Sequence, residues 1–394
     1  MDTSNVKETL MSAEVSVVKL DTYEKEAARR ALEELLRPIG GLDFVTPGMK
    51  VAIKANLVSA MKPEAAATPH PVLIRELCDM LVSRGAEVRV GDSPGGPFTP
   101  LLLNRVYSVT GVDCVSEVGA CLNRDYSSAR CENFAEGEVL KSFEYTAWID
   151  WADVIIDFAK LKTHGMMGMS AGVKNLFGCI PGTLKPEYHY RFPNTRDFAN
   201  MIVDLNVFFK PRLTIVDAVV GMEGNGPTMG KPRKIGALVA SASSYACDRI
   251  CAELIGLDEE KVPTLALARE RGLCPDRGDI LLHGSLEGLI VSDFDNIERP
   301  NNIEFLSGLV GFKGKFMSSL FRACMASRPK LKRSECVGCR ECFRICPAKA
   351  ITMKNNKPQI DRKKCIRCFC CQEFCPKGAL KVHRPLVAKI ANKL

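Results

Sequence analysis

The sequence of 394 residues has no apolar run of about 18 residues, the length that a membrane-spanning helix requires. Its first twenty residues mix acidic, basic and polar side chains and lack the apolar core of a secretory signal. No low-complexity tract is present, and 46% hydrophobic with 25% charged residues is typical of a globular protein. We therefore expect a cytoplasmic protein of two or three domains without a transmembrane segment.

Three common catalytic signatures are also missing. The sequence contains no G-x-x-x-x-G-K-[ST] phosphate loop, no G-x-S-x-G nucleophile elbow and no G-x-G-x-x-G between a strand and a helix. Gly224-Asn225-Gly226 comes nearest to the last of these, but it lacks the third glycine and proline follows it. The sequence thus gives little support for binding of NAD or ATP.

Cysteine, in contrast, is abundant: half of the 18 cysteines fall between Cys336 and Cys375. They form two runs of equal spacing, Cys336-x2-Cys339-x2-Cys342-x3-Cys346-Pro347 and Cys365-x2-Cys368-x2-Cys371-x3-Cys375-Pro376. Bacterial ferredoxins with two [4Fe–4S] clusters have this spacing, and the fourth cysteine of each run ligates the other cluster. We therefore predict two clusters, held by Cys336, Cys339, Cys342 and Cys375 and by Cys365, Cys368, Cys371 and Cys346.

A zinc site or a disulfide knot is the alternative for these cysteines, but neither requires a repeated run of four. A chain in a reducing compartment uses dense cysteines as metal ligands rather than as disulfides. Cys370 interrupts the second run beside Cys371, and we interpret it as a spare thiol rather than a ligand.

Positive charge is concentrated in the same region. From Leu331 to Leu394 there are 16 Lys and Arg against 4 Asp and Glu, a balance of +12, whereas the whole chain carries +8. No nucleic-acid-binding motif accompanies this charge, so we expect an acidic redox partner rather than nucleic acid. The composition predicts an α/β domain, an amphipathic linker, a ferredoxin domain and a basic tail at residues 1–300, 301–330, 331–385 and 386–394.

The predicted linker has an apolar stripe flanked by basic residues. Such a helix packs between two domains or lies on an anionic membrane surface, and the sequence leaves both interpretations open.

Strand-like and helix-like segments alternate through the first 300 residues. Apolar runs predict strands at 15–20, 51–54, 87–90, 153–158, 213–220, 280–283 and 288–291. Helical patterns fill residues 22–38, 72–84 and 244–256. The predicted fold class is therefore α/β, with a mostly parallel sheet covered by helices on both faces, followed by a small α+β two-cluster ferredoxin domain.

Charged and glycine-rich loops follow four of these strands, where ligands of parallel sheets bind. Converging loops would give a pocket for a small anion, since Lys160 and three further lysines lie in them. The candidate substrate-binding residues are Lys54, Asn56, Lys162, Lys174, Asn175, Glu223 and Asn225. His164 and Asp92 are the candidates for proton transfer, and His189 is assigned a structural position. The alternative is a set of separate turns with solvated lysines.

These loops resemble those of the iron–sulfur protein family defined by domain of unknown function 362. The resemblance covers roughly residues 14–300 and is carried by Lys54-Ala55-Asn56, Gly91-Asp92-Ser93-Pro94-Gly95, residues 161–178 and residues 217–227. It implies a fold and a cofactor rather than a reaction. The stretch from His164 to Lys174 is also loosely similar to a loop of lactate racemases, which implies small carboxylate or hydroxy-acid chemistry.

The leading hypothesis is an iron–sulfur protein that transfers electrons through two [4Fe–4S] clusters to or from a small anionic substrate in the α/β domain. Two alternatives remain at this point. One is a ferredoxin-like electron carrier whose α/β domain is a non-catalytic docking or sensing module. The other is a cofactor-maturation factor. The sequence leaves open whether the chain is an enzyme.

Overall fold

The computed structural model describes residues 13–296 and 328–383. The predicted basic tail, and the predicted linker up to residue 327, lie outside the described residues. Within those residues no helix is both long and apolar enough to cross a membrane. The domain boundaries and the cytoplasmic location stay predictions.

The strands lie in two groups. Those of the body, residues 13–296, are β1 Ala13–Lys19, β2 Lys50–Ala55, β3 Glu87–Gly91, β4 Cys121–Leu122, β5 Ser128–Cys131, β6 Phe143–Thr146, β7 Val154–His164, β8 Gly168–Ser170, β9 Leu213–Glu223, β10 Lys231–Ser241 and β11 Ile280–His283. Those of the module, residues 328–383, are β12 Arg328–Leu331, β13 Ile351–Lys354, β14 Lys357–Ile360 and β15 Leu380–His383.

The α-helices connect these strands. They are α1 Lys25–Leu36, α2 Pro71–Val82, α3 Pro100–Thr110, α4 Gly172–Asn175, α5 Lys185–Arg191, α6 Thr195–Phe209, α7 Ser244–Leu254, α8 Pro263–Glu270, α9 Glu341–Arg344 and α10 Cys370–Glu373. Several begin with proline at the first turn, where the missing N–H costs nothing because it has no partner inside the helix.

The main sheet has the order β11-β1-β10-β9-β7-β2-β3-β4, and β8 pairs with β7. The pairs β1–β11, β7–β9, β2–β7, β2–β3 and β3–β4 are parallel. The hairpin β9–β10 brings in the antiparallel pairs β9–β10 and β1–β10. The predicted fold class, a mostly parallel sheet, is therefore confirmed.

Helices cover both faces of this sheet. Successive residues of a strand point to opposite faces, and along β9 Ile215 packs into the core with α1 and α2. Its neighbour Val216 packs into a second core with α7. Strands buried on both sides read as continuous apolar runs, which is why the sequence predicted most of them.

One predicted strand, 288–291, was wrong. Gly288 has a φ of +72° and lies in a turn. Leu289 is still buried in the core with α7, so its apolar character reflects packing from a turn and not from a strand.

The module rests on the body along a seam made by the loops after β3 and β9. Asn225 joins the two parts, since its carbonyl accepts from Gln372 Nε2 at 3.1 Å and its Oδ1 from the Val382 N–H at 3.3 Å. A Cβ on Gly95 would lie 2.6 Å from ring carbons of Phe374. Glycine at this position thus permits the close approach of the module.

We expect the substitution Gly95→Ala to loosen the seam. The added methyl group overlaps the Phe374 ring, and overpacking of this kind costs about 1–3 kcal/mol. Hydrogen exchange of α10 should accelerate by roughly tenfold, as measured by mass spectrometry. Gly278→Ala is the matched control, because nothing lies within 4 Å of a Cβ there. Unchanged exchange in Gly95→Ala would contradict this packing.

Candidate functional site

A cleft of about 600 Å³ lies between the body and the module, within the usual size range of small-molecule sites. The loops after β2, β3, β7 and β9 form one wall, as expected at the carboxyl ends of strands. The module supplies the other wall from α9, α10 and the residues after α10. The predicted residues that line the cleft are Asn56, Asp92, Lys162, His164, Lys174 and Asn175.

Lys54 is behind this wall and does not line the cleft. It is fully buried, and its Nζ lies 2.8 Å from Asp92 Oδ1. The same nitrogen donates to Asn175 Oδ1 at 2.9 Å and to the Ala55 carbonyl at 2.8 Å. Since a buried ammonium group with three partners has no donor left, Lys54 positions Asp92 and Asn175 rather than binding a ligand.

The two asparagines extend this network toward the cleft. Asn56 Nδ2 donates to Asn175 Oδ1 at 2.8 Å, and Asn56 Oδ1 accepts from the Lys162 ammonium group. The Asn175 amide nitrogen donates to Asp157 Oδ1 at 2.6 Å and to the Lys54 carbonyl at 3.0 Å. Asn175 therefore fastens the ends of β2 and β7 to α4.

Three lysines bring positive charge to the cleft. Burial, with the nearby charge of Lys174, lowers the pKa of Lys162 to about 7. Burial also lowers the pKa of Lys174, and that of Lys185 falls to about 8. Each ammonium group is costly to keep charged here, and a bound anion would stabilise it.

Lys185 was missed by the sequence analysis. It lies at the start of α5, not at the end of a strand, so reasoning from strand ends could not find it. Its ammonium group donates to the Ser93 carbonyl in the loop after β3. This contact brings α5 to the cleft.

His164 connects the two walls of the cleft. Its Nδ1 accepts the N–H groups of Met166 and Met167, each at 3.1 Å, so the ring proton resides on Nε2. Nε2 lies 3.3 Å from Glu373 Oε1 in the module. Burial raises the pKa of Glu373, but the hydrogen bond from His164 and nearby positive charge outweigh it and hold the pKa at about 2. His164 thus helps to seat the module, and its role in proton transfer stays a prediction.

His189, assigned a structural position above, lines the cleft. It is 3% exposed and stacks on Phe198 with ring centroids 4.2 Å apart. Burial lowers its pKa to about 3, so the ring is neutral at pH 7. Its Nδ1 is buried and has no hydrogen-bond partner among the described residues, and the ring adds a neutral polar group to the wall of the cleft.

Three residues that the sequence analysis grouped with the pocket lie elsewhere. Glu223 accepts the N–H of Asp295 at 3.2 Å, and Asn225 is occupied at the seam. Lys160 pairs with the buried Asp217 at 2.9 Å. None of the three lines the cleft, since each is engaged with these other partners.

Two smaller cavities lie inside the module. The first cluster cavity is lined by Cys336, Cys339, Cys342 and Cys375, and the second by Cys346, Cys365, Cys368 and Cys371. The grouping follows the crossed pattern of two-cluster ferredoxins and supports the predicted ligation. Cys370 lines the cleft instead.

The cysteine residues fit [4Fe–4S] clusters in two further respects. The N–H of Ala350 donates to Cys346 Sγ at 3.3 Å, and that of Ala379 to Cys375 Sγ at 3.2 Å. Such hydrogen bonds stabilise thiolate ligands. In residues 13–296 and 328–383, no three His, Cys, Asp or Glu are placed to hold a single metal ion, whereas the thiolates of a four-iron cluster reach different irons.

Cys375 lines both the first cluster cavity and the cleft. The same is true of Pro376, which follows it. A cluster bound through Cys375 would therefore be in direct proximity to a ligand in the cleft.

The architecture is that of an α/β protein with an attached 4Fe–4S dicluster domain, which matches residues 328–376. Residues 51–253 match the family described as Domain of unknown function (DUF362), and the chain belongs to that family. The resemblance seen in the sequence is thus confirmed. An iron–sulfur electron-carrier role follows from the dicluster domain.

Among curated proteins, the chain is 30% identical over 277 residues to the "Thylakoid-associated protein sll1697" of Synechocystis, covering 68% of this chain and 83% of the relative. Two solved structures are more distant. A Thermotoga maritima protein has 14% identity, a TM-score of 0.38 and 59% of each chain aligned. The lactate racemase apoprotein of Thermoanaerobacterium thermosaccharolyticum has 13% identity and a TM-score of 0.39, with 62% of this chain and 57% of its own aligned.

The crossed ligation can be tested by combining cysteine substitutions. We expect Cys375→Ala to lower the iron content from about eight to about four per chain, because one of two four-iron clusters is lost. Adding Cys336→Ala should cost no further iron, since both residues hold the same cluster. Adding Cys365→Ala should remove nearly all of it. Iron and sulfide assays after anaerobic purification measure this.

Cys370→Ala is the matched control and should retain about eight irons. If Cys375→Ala with Cys365→Ala kept half of the iron while Cys375→Ala with Cys336→Ala lost it all, the ligation would not be crossed.

Proposed function

We propose that the protein transfers electrons through two [4Fe–4S] clusters to or from a small anionic substrate that binds in the cleft. The observation that carries this proposal is the position of Cys375, which lines both the cleft and the first cluster cavity. A carrier with a separate docking domain would not need this shared wall. Bound clusters supply single electrons, and the chain supplies binding and orientation.

The charge of the cleft supports an anionic substrate. Lys162, Lys174 and Lys185 line it, and each has a lowered pKa because burial penalises its charged form. A carboxylate or phosphate bound among them would offset this penalty. Asp92, which pairs with Lys54, and Glu373 also line the cleft and offset part of this positive charge.

The remaining walls suggest how the substrate is oriented. Phe177, Met229 and Phe374 give the cleft an apolar side, with Phe374 and Cys375 adjacent on the module. A substrate with one anionic end and an apolar part would place its charge among the lysines. The neutral ring of His189 adds a polar group to the lining.

Lys162 is the group best suited to exchange a proton in this cleft. Its pKa of about 7 means that both protonation states are populated near neutral pH. His164 and Asp92 are each already engaged, by the Met166 and Met167 N–H groups and by Lys54 respectively. Lys162 also donates to Asn56 Oδ1 and to the Ala67 carbonyl, so we favour it over them because of its pKa.

EPR spectroscopy tests the coupling between cleft and cluster. In the dithionite-reduced protein, a small carboxylate or phosphate from a test panel should change the spectrum of one cluster and leave the other unchanged. Lys174→Ala should weaken the apparent affinity for that anion by roughly 10- to 150-fold, since a hydrogen bond to a charged group contributes about 1.5–3 kcal/mol. Iron content should stay unchanged.

Lys354→Ala is the matched control, because this exposed lysine lies in the module away from the cleft. Full iron content with no spectral response to any anion would reject the proposal and favour an electron carrier with a docking domain. A response that survives Lys174→Ala would place the anion elsewhere.

Anion binding should also depend on pH. Lys162 is a cation below its pKa of about 7 and loses its charge above it, and Lys185 follows at about 8. The affinity for a test anion should therefore fall as pH rises from 6 to 9, as measured by isothermal titration calorimetry. Lys162→Met should remove the step near pH 7 and retain the one near pH 8. An affinity independent of pH over this range would contradict the assignment.

A further inference from the structure

A second surface of the module carries strong positive charge. A cavity of about 570 Å³ opens there, away from the cleft, and its walls come from β12 and from the loop after β14. Its basic side chains are Arg328, Lys330, Arg362 and Arg367, and these four define the basic face. Cys365, a predicted ligand of the second cluster, lies in the same wall.

The charge of the basic face is not compensated locally. Within residues 13–296 and 328–383, none of its four side chains forms an ion pair. The nearest acidic residue in sequence, Asp361, accepts the backbone N–H of Lys363 with its carboxylate. Lys332 and Lys381 behave differently, since both pair with Glu335.

The two segments that flank the module in the sequence add positive rather than negative charge. Residues 297–327 contain four Lys and Arg against two Asp and Glu, and residues 384–394 contain three against none. Together these segments carry a net charge of +5 and do not neutralise the basic face. A negatively charged molecule is therefore the counterpart that the basic face fits.

The two clusters have different neighbours. The cleft shares Cys375 with the first cluster cavity, whereas the basic face shares Cys365 with the second. One cluster thus adjoins the substrate site and the other adjoins an exposed, charged surface. An electron that enters at the basic face would pass through the second cluster before the first.

We propose that the basic face docks an acidic one-electron carrier protein, which exchanges electrons with the second cluster. In the reducing direction the carrier is oxidised by one electron and the cluster is reduced by one. Complementary charge steers two proteins together and accelerates association by 10- to 1,000-fold at low salt. The inference concerns electron entry and does not depend on a substrate in the cleft.

A protein partner fits this surface better than a small anion. The four basic residues come from two separate segments, residues 328–330 and 362–367, and Lys330, Arg362 and Arg367 are exposed. Lys363 and Lys364 are exposed beside them and extend the charge beyond the cavity. A single small anion would reach only part of this area.

The test is a double charge reversal, Lys330→Glu with Arg362→Glu, in the full-length holoprotein. We expect the rate constant for reduction by a photoreduced acidic flavodoxin to fall at least tenfold at low ionic strength, by stopped-flow spectroscopy without substrate. Its dependence on salt should flatten as well. Binding of the oxidised flavodoxin, measured by surface plasmon resonance, should weaken in parallel without any electron transfer.

The matched control reverses two exposed lysines near the first cluster cavity, Lys354→Glu with Lys377→Glu. It changes the net charge equally and should alter both measurements by less than about twofold if only local charge steers docking. Iron and sulfide assays confirm that both variants retain their clusters.

Three results would overturn the proposal. Equal losses in both variants would indicate an effect of net charge alone, and a loss in the control only would put electron entry at the first cluster. The third is an unchanged rate with flavodoxin in Lys330→Glu with Arg362→Glu while calorimetric binding of inorganic phosphate is abolished, which would make the cavity a small-anion site. Because no cleft ligand is present, a failure here is distinguishable from a failure of the proposed function.

Discussion

The buried ammonium group of Lys54 holds together the edge of the sheet on which the cleft depends. A charge that is fully removed from water is tolerated only when it is paired and hydrogen-bonded. Its partners come from three places: Asp92 after β3, Asn175 in α4 and the carbonyl of Ala55 at the end of β2. The cost of leaving this charge unpaired therefore fixes the relative positions of the end of β2, the loop after β3 and α4.

Gly178 shows how closely these groups approach. A Cβ there would lie 2.2 Å from Asp92 Oδ1 and 2.3 Å from Lys54 Nζ. The backbone after α4 can pass over the buried pair only without a side chain. The buried pair thus constrains the backbone that leads from α4 to the start of α5, where Lys185 lies.

The contacts across the seam hold the module in place as the second wall of the cleft. His164 reaches across it to Glu373, two residues before Cys375, and Asn225 accepts hydrogen bonds from the module on the same side. Without the module the cleft would have only one wall. Because the module closes it with a cluster-ligand candidate, a ligand in the cleft would lie beside the first cluster cavity, whereas the second cluster cavity adjoins the basic face.

The sequence was most informative where spacing is strict. Cluster ligation needs cysteines at fixed intervals, and strands buried on both faces read as apolar runs, so the module and most of the sheet could be predicted. Residues 231–241 were not predicted as β10, because the strand begins with the charged residues that follow the β9 turn. The segment with Gly288 and Leu289 was wrongly predicted as a strand, because it is apolar although it is a turn. Leu289 packs into the core from that turn.

The composition of the cleft was harder to predict because it depends on which loops meet. Lys185 and His189 come from α5, whose place beside β3 depends on a lysine-to-carbonyl contact with Ser93. The position of Asn225 in its loop predicted a substrate-binding residue. Its side chain instead accepts a hydrogen bond from Val382 in the module, more than a hundred residues further along the chain. No local pattern records a contact of that kind.

Burial penalises the charged forms of the lysines in the cleft, and a bound anion would offset this penalty. Burial lowers the pKa of both Lys162 and Lys174. The nearby charge of Lys174 lowers the pKa of Lys162 further, to about 7, so part of the Lys162 charge is lost near neutral pH when the cleft has no anion. An anion bound among them favours their charged forms and raises both pKa values, and binding therefore takes up protons from solvent. Negative charge on a cluster beside Cys375 acts in the same direction. In the proposed function, substrate binding, proton uptake and cluster reduction would be coupled through these ammonium groups, which is the arrangement that a proton-coupled electron transfer requires.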